Sequence, residues 1–349
     1  MAKKKLTHGQ QRRIKANHDK KLRTKVGKPD KIQWQDDDLG AAQNGIIISR
    51  FGQHADVEGV DGIVYRCNLR RSIRSLVCGD KVLWRLGKET QHSIRGIIEA
   101  VHERDSVLSR PDVYDGVKPI AANISQILIV SSLLPAFNGD IIDRYLVAAE
   151  QTGITPVIVL NKTDLLNEQS QEEQDAIEQQ LQIYRDIGYQ VLYASSKENA
   201  GISEIKTQLN QHISIFVGQS GVGKSTLVNA LMPDLGLCTK EVSQNSGLGQ
   251  HTTTVARLYH FDDGGDLIDS PGIREFGLWH LTPEQVFNGF KEFEEFMGLC
   301  KFRDCKHITD PGCALTGANE QQINPKRLAS FQRILTSLGE NKLTSRFND

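Results

Sequence analysis

The sequence predicts a multidomain fold: a small N-terminal β-barrel, a central α/β domain, and a C-terminal α-helical module built around a metal. Three observations predict it. Short β-like runs follow one another without helical periodicity up to about residue 115. From Pro119 onward apolar strands alternate with helical stretches, the signature of a parallel sheet with crossover helices. Finally, Cys300, Cys305, His307 and Cys313 crowd into one short loop. The expected divisions are a basic disordered arm over 1–35, a barrel over 36–115, an α/β domain over 116–281 and a helical module over 282–349.

The arm comes first. Residues 1–31 hold twelve Lys/Arg against Asp19 and Asp30, so this stretch carries +10 while the whole 349-residue chain carries −1. The remainder is therefore acidic at −11. A basic, aromatic-free arm on an acidic body suits contact with a phosphate backbone; the plainer reading is a solubilising terminus. No apolar run reaches the ~18 residues of a membrane span, and no apolar core of a secretory signal follows the first charges. Cys67, Cys78 and Cys238 are scattered and read as reduced thiols, which points to a cytoplasmic protein. Monomer is the default expectation.

In the barrel region the runs Gly45–Arg50, Ile63–Cys67, Asp80–Trp84 and Gly96–Val101 are separated by glycines and polar turns. A small OB-type barrel fits their number and spacing, and such barrels present a groove to nucleic acid. Arg66, Arg70, Arg71, Arg74 and Arg85 either line that groove or are ordinary surface arginines.

The α/β region reads as strands at Ile127–Val130, Pro156–Leu160, Gln190–Ala194, Ile213–Val217, near Ala256–Phe261 and at Leu267–Ile268. Helices are expected over 140–150 and about 169–187. Beyond it, Thr282, Pro283 and Gln285 form a capping signature for a helix over 282–297, with Phe287, Phe290 and Phe293 as core. A second amphipathic helix spans 325–338, with Leu328, Phe331, Leu335 and Leu338 inward.

Four of these strands end at a chemically loaded segment, where open α/β sheets bind ligands. Gly218-Gln219-Ser220-Gly221-Val222-Gly223-Lys224-Ser225 follows a strand and opens a helix at Thr226. That is the context a phosphate loop needs. Its backbone N–H groups ring a β-phosphate, Lys224 bridges β- and γ-oxygens, and the Ser225 hydroxyl holds magnesium. Asp269-Ser270-Pro271-Gly272 ends another strand; Asp269 reaches magnesium through water and the Gly272 N–H reaches the γ-phosphate. Asn161-Lys162-Thr163-Asp164 reads guanine, because a carboxylate accepts paired hydrogen bonds from N1–H and N2–H₂ that adenine does not offer. Ser195-Ser196-Lys197 completes the base pocket with backbone N–H groups toward O6.

The order of these motifs is rotated. A usual small GTPase runs phosphate loop, magnesium turn, base reader; here the base reader comes first. The domain is therefore a circularly permuted P-loop GTPase. Between the phosphate loop and the magnesium turn, Leu237–Thr254 reads as a switch. One of Thr252, Thr253 and Thr254, with Thr253 favoured, supplies a second magnesium hydroxyl. The residue after Gly272 is Ile273, which cannot orient water through its side chain. His251 either does so or is a loop histidine.

Cys300-x4-Cys305-x-His307-x5-Cys313 offers three thiolates and one imidazole, a closed tetrahedral zinc site that is structural rather than catalytic. Lys301, Arg303 and Lys306 sit within it as phosphate contacts or plain surface charge.

A permuted guanine-binding domain carrying GQSGVGKST, GQHTTT, DSPG and NKTD, preceded by a small barrel and followed by this Cys/His module, resembles the ribosome small-subunit-dependent GTPases (the RsgA/YjeQ family) over essentially the whole chain. Gln250 departs from the arginine common there. The resemblance implies a cytoplasmic factor in late maturation of the small (30S) ribosomal subunit. Such a factor binds the subunit with GTP, hydrolyses it to GDP under stimulation, grips 16S rRNA through barrel and zinc module, and helps displace another assembly factor. An RNA-binding scaffold that holds GTP as a structural ligand, or a GTPase serving another ribosomal particle, reads the same motifs.

Overall fold

The structure is a computed structural model that describes residues 38–73, 75–91, 94–112, 116–233, 256–269 and 281–346. The basic arm, the switch segment with Gln250, His251 and Thr252–Thr254, and the stretch from Ser270 through Gly272 and Ile273 to residue 280 lie outside the described residues.

Five strands close the barrel: β1 (Leu39–Phe51), β2 (His54–Gly59), β3 (Val64–Leu69), β4 (Lys81–Gln91) and β5 (Ile94–Val101). They pair in the order β1-β2-β3-β5-β4, and β4 returns to β1. The β3–β5 pair is parallel and the others antiparallel. This is the five-stranded closure expected of an OB-type barrel. Strand alternation sends Ala55, Val57, Cys67, Val82, Trp84 and Ile98 inward as one buried cluster. The Trp84 indole N–H donates to the Asn44 carbonyl at 3.3 Å, which satisfies its single polar atom. A hairpin of β6 (Val107–Asp112) and β7 (Gly116–Ala122) leads out of the barrel.

The central sheet contains β8 (Gln126–Ser132), β9 (Thr155–Asn161), β10 (Gln190–Tyr193), β11 (Ile213–Val217), β12 (Arg257–His260) and β13 (Asp266–Asp269). Its order is β10-β9-β8-β11-β13-β12. All neighbours are parallel except the antiparallel β12–β13 pair. Helices α1 (Gly139–Thr152) and α2 (Gln171–Asp186) cover one face through Ile142, Leu146, Ala149, Leu181 and Tyr184. Helices α3 (Ile202–Leu209) and α4 (Lys224–Leu231) cover the other through Ile205, Leu209, Leu227 and Leu231. Because β12 also pairs with β1 at Ser49–Arg257, the barrel continues the sheet.

The C-terminal region holds α5 (Pro283–Asn288), a 3₁₀ turn over Lys291–Phe296, and α6 (Pro325–Arg346). The capping box forms as expected: the Thr282 hydroxyl accepts from the Gln285 N–H at 3.2 Å, and the Gln285 side chain accepts from the Thr282 N–H at 2.9 Å. The helix expected over 282–297 is instead broken at Gly289. A Cβ there would lie 2.7 Å from Val147 Cγ1, so the backbone itself presses on α1. The chain then turns extended at Phe290. Phe290 and Phe293 still stack at 4.9 Å, and both meet the Phe331 ring edge-on.

Candidate active site and metal centre

Strand tips β8, β9, β11 and β13 meet at one edge of the sheet. β11 ends at Val217, the phosphate loop follows, and α4 begins at Lys224. Two glycines are dictated by this packing. Gly218 adopts φ 141°, and a Cβ there would sit 2.2 Å from the Val130 carbonyl of β8. Gly223 adopts φ 90°, and its Cβ would sit 2.5 Å from Asn161 Nδ2. Only glycine permits both the backbone conformation and the approach. Lys224 Nζ donates to the carbonyls of Gly218 (2.7 Å) and Gln219 (2.6 Å), closing the loop on itself. Ser220, Ser225 and Thr226 lie on the loop and first turn of α4.

The base-reading segment begins where β9 ends. Asn161 is buried, and its amide donates to the Val222 carbonyl at 2.9 Å. Lys162, in the left-handed region at φ 61°, donates to the carbonyls of Leu134 (2.5 Å) and Gly221 (2.7 Å). Two motifs shuffled along the chain are thus stitched together by two bonds, one from each side chain. The Thr163 N–H donates to the Ala194 carbonyl at 3.1 Å, tying the segment to the end of β10.

Asp164 receives the Ser195 hydroxyl at 2.7 Å, and Lys197 Nζ lies 3.6 Å from its other oxygen. The Ser195 bond holds the Asp164 carboxyl below the usual carboxylate range, so it is ionised and accepting. The Ser195 N–H itself donates to the Ala200 carbonyl at 2.9 Å. That leaves the amides of Ser196 and Lys197, rather than of Ser195, for a ligand oxygen. Asn161 Oδ1, Ser132 Oγ and Ser196 Oγ are buried without a hydrogen-bond partner among the described residues. Orphaned buried oxygens at converging strand tips fit a polar ligand there. No motif marks Ser132 in the sequence; its one signal is its place at the end of a buried strand, opposite Asn161.

Asp269 closes β13 as expected. His251, Thr253 and Gly272 lie outside the described residues, so their placement is not part of this geometry.

The Cys/His loop forms a compact cluster. Ligand atoms of Cys300, Cys305, His307 and Cys313 all lie within 4.8 Å of one another. His307 Nδ1 is 3.5, 3.7 and 3.5 Å from the three sulfurs in that order. A tetrahedral zinc with bonds of about 2.3 Å to sulfur and 2.05 Å to nitrogen separates S from N by about 3.6 Å. The cluster fits a structural zinc. Desolvation lowers the His307 pKa and favours the neutral, ligating imidazole. The Ala314 N–H donates to Cys300 Sγ at 3.3 Å, as outer partners of a thiolate do. Gln332 on α6 donates to the His307 and Ile308 carbonyls, docking the loop on that helix.

The barrel arginines do not form a free basic row. Arg66 pairs with Asp56 at 2.9 Å, Arg70 with Glu99 at 3.1 Å, and Arg85 donates to the Gly40 carbonyl at 2.7 Å. Arg71 is exposed and Arg74 lies outside the described residues. No described helix is long and apolar enough to cross a membrane.

Fold and site together define a circularly permuted P-loop GTPase domain between an OB-type barrel and a metal-binding helical module. The family model of the RsgA GTPase matches residues 101–279. A curated relative, the small ribosomal subunit biogenesis GTPase RsgA of Pectobacterium atrosepticum, is 56% identical over 352 aligned positions. The match covers 100% of this chain and 99% of that one. Two solved structures share the fold. YjeQ from Thermotoga maritima has TM-score 0.68 and 30% identity, with 85% of this chain and 99% of that chain covered. YloQ, described as a circularly permuted GTPase, has TM-score 0.67 and 26% identity, with 88% and 98% covered. The chain belongs to the RsgA GTPase family.

Proposed function

We propose that this chain is a cytoplasmic GTPase acting in late maturation of the small ribosomal subunit. It binds the 30S particle with GTP, hydrolyses the nucleotide to GDP and phosphate when the particle stimulates it, and then leaves. The observation that carries the GTPase reading is the stitching of the base-reading segment to the phosphate loop by Asn161 and Lys162. One ligand with a purine at one end and a triphosphate at the other accounts for both halves. The named relative supplies the biological setting.

In this reading Asp164, oriented by Ser195, accepts from guanine N1–H and N2–H₂. The Lys162 stem flanks the base, and the amides of Ser196 or Lys197 meet O6. The loop Gly218–Ser225 cradles the phosphates. Thr226 sits in the first turn of α4, where the helix dipole favours their charge. Ser225 and Asp269, with Thr253, hold magnesium, which when bound neutralises charge on the β- and γ-oxygens. Gly272 contacts the γ-phosphate, and His251 orients the attacking water in place of Ile273. Cys300, Cys305, His307 and Cys313 hold one zinc that props the C-terminal module. The barrel, the module and the basic arm contact 16S rRNA, and docking helps displace another assembly factor. Domain divisions near residues 36, 116 and 282 belong to the same proposal.

The test is GTP turnover with purified 30S particles, 50S particles or neither. A rise of at least about tenfold specific to 30S is expected, within the range partners supply to GTPases. Equal rates with all three would overturn the small-subunit reading. Lys224→Ala should abolish turnover; unchanged particle release by that variant would favour a scaffold instead.

A further inference from the structure

Strand β12 has two neighbours, β13 on one side and barrel strand β1 on the other. Its last residue, His260, sits where the two domains meet. His260 Nε2 lies 2.8 Å from Glu58 Oε2 on barrel strand β2, and His260 Nδ1 lies 2.6 Å from Asp266 Oδ1 on β13. Carboxylates only accept hydrogen bonds, so both contacts form only if both ring nitrogens carry a proton. The ring is then an imidazolium between two anions. A neutral ring keeps one N–H and turns a lone pair toward the other carboxylate.

We infer that Glu58, His260 and Asp266 form a proton-dependent clasp that fixes the barrel against the β12–β13 hairpin. The strand the clasp holds, β13, ends in Asp269 at the nucleotide edge of the sheet. In sequence, β12 starts directly downstream of the Thr252–Thr254 run. The clasp therefore couples the barrel's seating to the strands flanking the γ-phosphate side of the pocket.

The charged groups facing the ring are Asp266 from β13 and Glu58 from β2. Their pull, with the Asp266 hydrogen bond largest, raises the His260 pKa above its ordinary value against the cost of partial burial. Asp262, next to Phe261, is exposed, and two other charges on the hairpin have partners elsewhere. Arg257, at the far end of β12, lies over the Tyr259 ring at 5.5 Å. Asp263, in the following turn, pairs with Lys206 of α3 at 3.1 Å. A group with a raised folded-state pKa contributes fully below its unfolded value, near 6.5, and loses the contribution as pH rises through the folded value. The clasp is closed in mildly acidic solution and released above the raised midpoint.

Two measurements on the full-length protein test this without ribosomal particles, so their outcome is independent of the proposed function. The first is the NMR titration of the His260 ring. Its midpoint should lie above about 6.5 and fall toward that value in Glu58→Gln. An unchanged midpoint in that variant would mean the barrel carboxylate does not face the ring, and would overturn the proposal. The second is the distance distribution between spin labels at Val60→Cys, on the exposed β2–β3 turn, and Glu172→Cys on α2. It should be narrow near about pH 5.5 and broaden near about pH 9, and be broad at both in His260→Gln. Equal widths at both pH values, or a pH response retained in His260→Gln, would overturn it. Thermal melts of each variant confirm that the fold survives, as a half-exposed position allows.

Discussion

The central domain is joined to its neighbours in two different ways. The C-terminal module is joined by side chains buried between helices. Arg327 on α6 is 2% exposed and pairs with Asp143 of α1 and with Glu292 of the 3₁₀ turn, while Tyr184 of α2 also donates to Asp143. Val147 and Ala148 of α1 belong to the same apolar cluster as Phe287, Phe290, Phe293 and Phe331. The barrel is joined by continuation of the sheet. Ser49 meets Arg257, Ile48 and Cys78 reach into the central core, and the half-exposed His260 bridges the seam to Glu58. The first junction buries the Arg327 cluster, while Arg333–Asp140 and Lys291–Glu150 bridge its exposed rim. Burial works against the Arg327 charge, and its two carboxylates outweigh it; burial pushes Asp143 up while the guanidinium opposes that. The other junction half-exposes an imidazole whose pKa its two carboxylates raise. The module is built as part of the GTPase body, and the barrel is held at an adjustable seam next to the nucleotide strands.

The largest expected effect concerns the metal. Structural zinc in small modules is worth about 10–16 kcal/mol at neutral pH. Chelation or Cys313→Ser should melt the C-terminal module, read as loss of near-ultraviolet aromatic signal, while guanine-nucleotide binding persists. Retention of the full signal after complete metal removal would show that the Phe-rich core stands alone. Next, Arg327→Met strands Asp143 and Glu292 and should cost about 3–5 kcal/mol in urea melts. A loss below about 1 kcal/mol would erase the contrast between the junctions. Thr282→Ala removes the capping hydroxyl and should cost about 1 kcal/mol, a check that α5 matters only locally. Smallest is His260→Gln, which should change stability by no more than about 1 kcal/mol, as for other exposed pairs. That change should appear at low pH and vanish as pH rises past the histidine midpoint. A larger loss, or one present only at high pH, would place the seam's strength elsewhere.

Much of the site was legible in the sequence because its chemistry is local. A phosphate loop needs glycines at fixed offsets, and Gly218 and Gly223 meet that need at steric limits that other strands impose. The strands were legible too, since buried parallel strands read as continuous apolar runs, as Ile127–Val130 does within Gln126–Ser132. What escaped was set by distant partners. The close approach of Gly289 to Val147, where the helix ends, joins residues far apart in sequence. Strand β2, His54–Gly59, looks polar because only Ala55 and Val57 face inward, so its sequence reads as a turn. The hairpin β6–β7 was hidden by Pro111 and Pro119, residues that argue against strands but are tolerated in a two-stranded sheet. Of the arginines that read as a groove lining, Arg66 pairs with Asp56 and Arg70 and Arg85 face Glu99, pairings that only the folded barrel brings about. Ser132 carries no motif at all.

The claim on which the rest depends is that motifs rotated along the chain make one guanine-selective pocket. Competition of GTP and ATP for a fluorescent guanine nucleotide, with magnesium present, tests it most directly. The account predicts that GTP displaces the probe at concentrations at least about a thousandfold lower than ATP, as expected when a buried carboxylate loses its donors. It also predicts that Asp164→Ala narrows the gap. Equal displacement by the two nucleotides would contradict it.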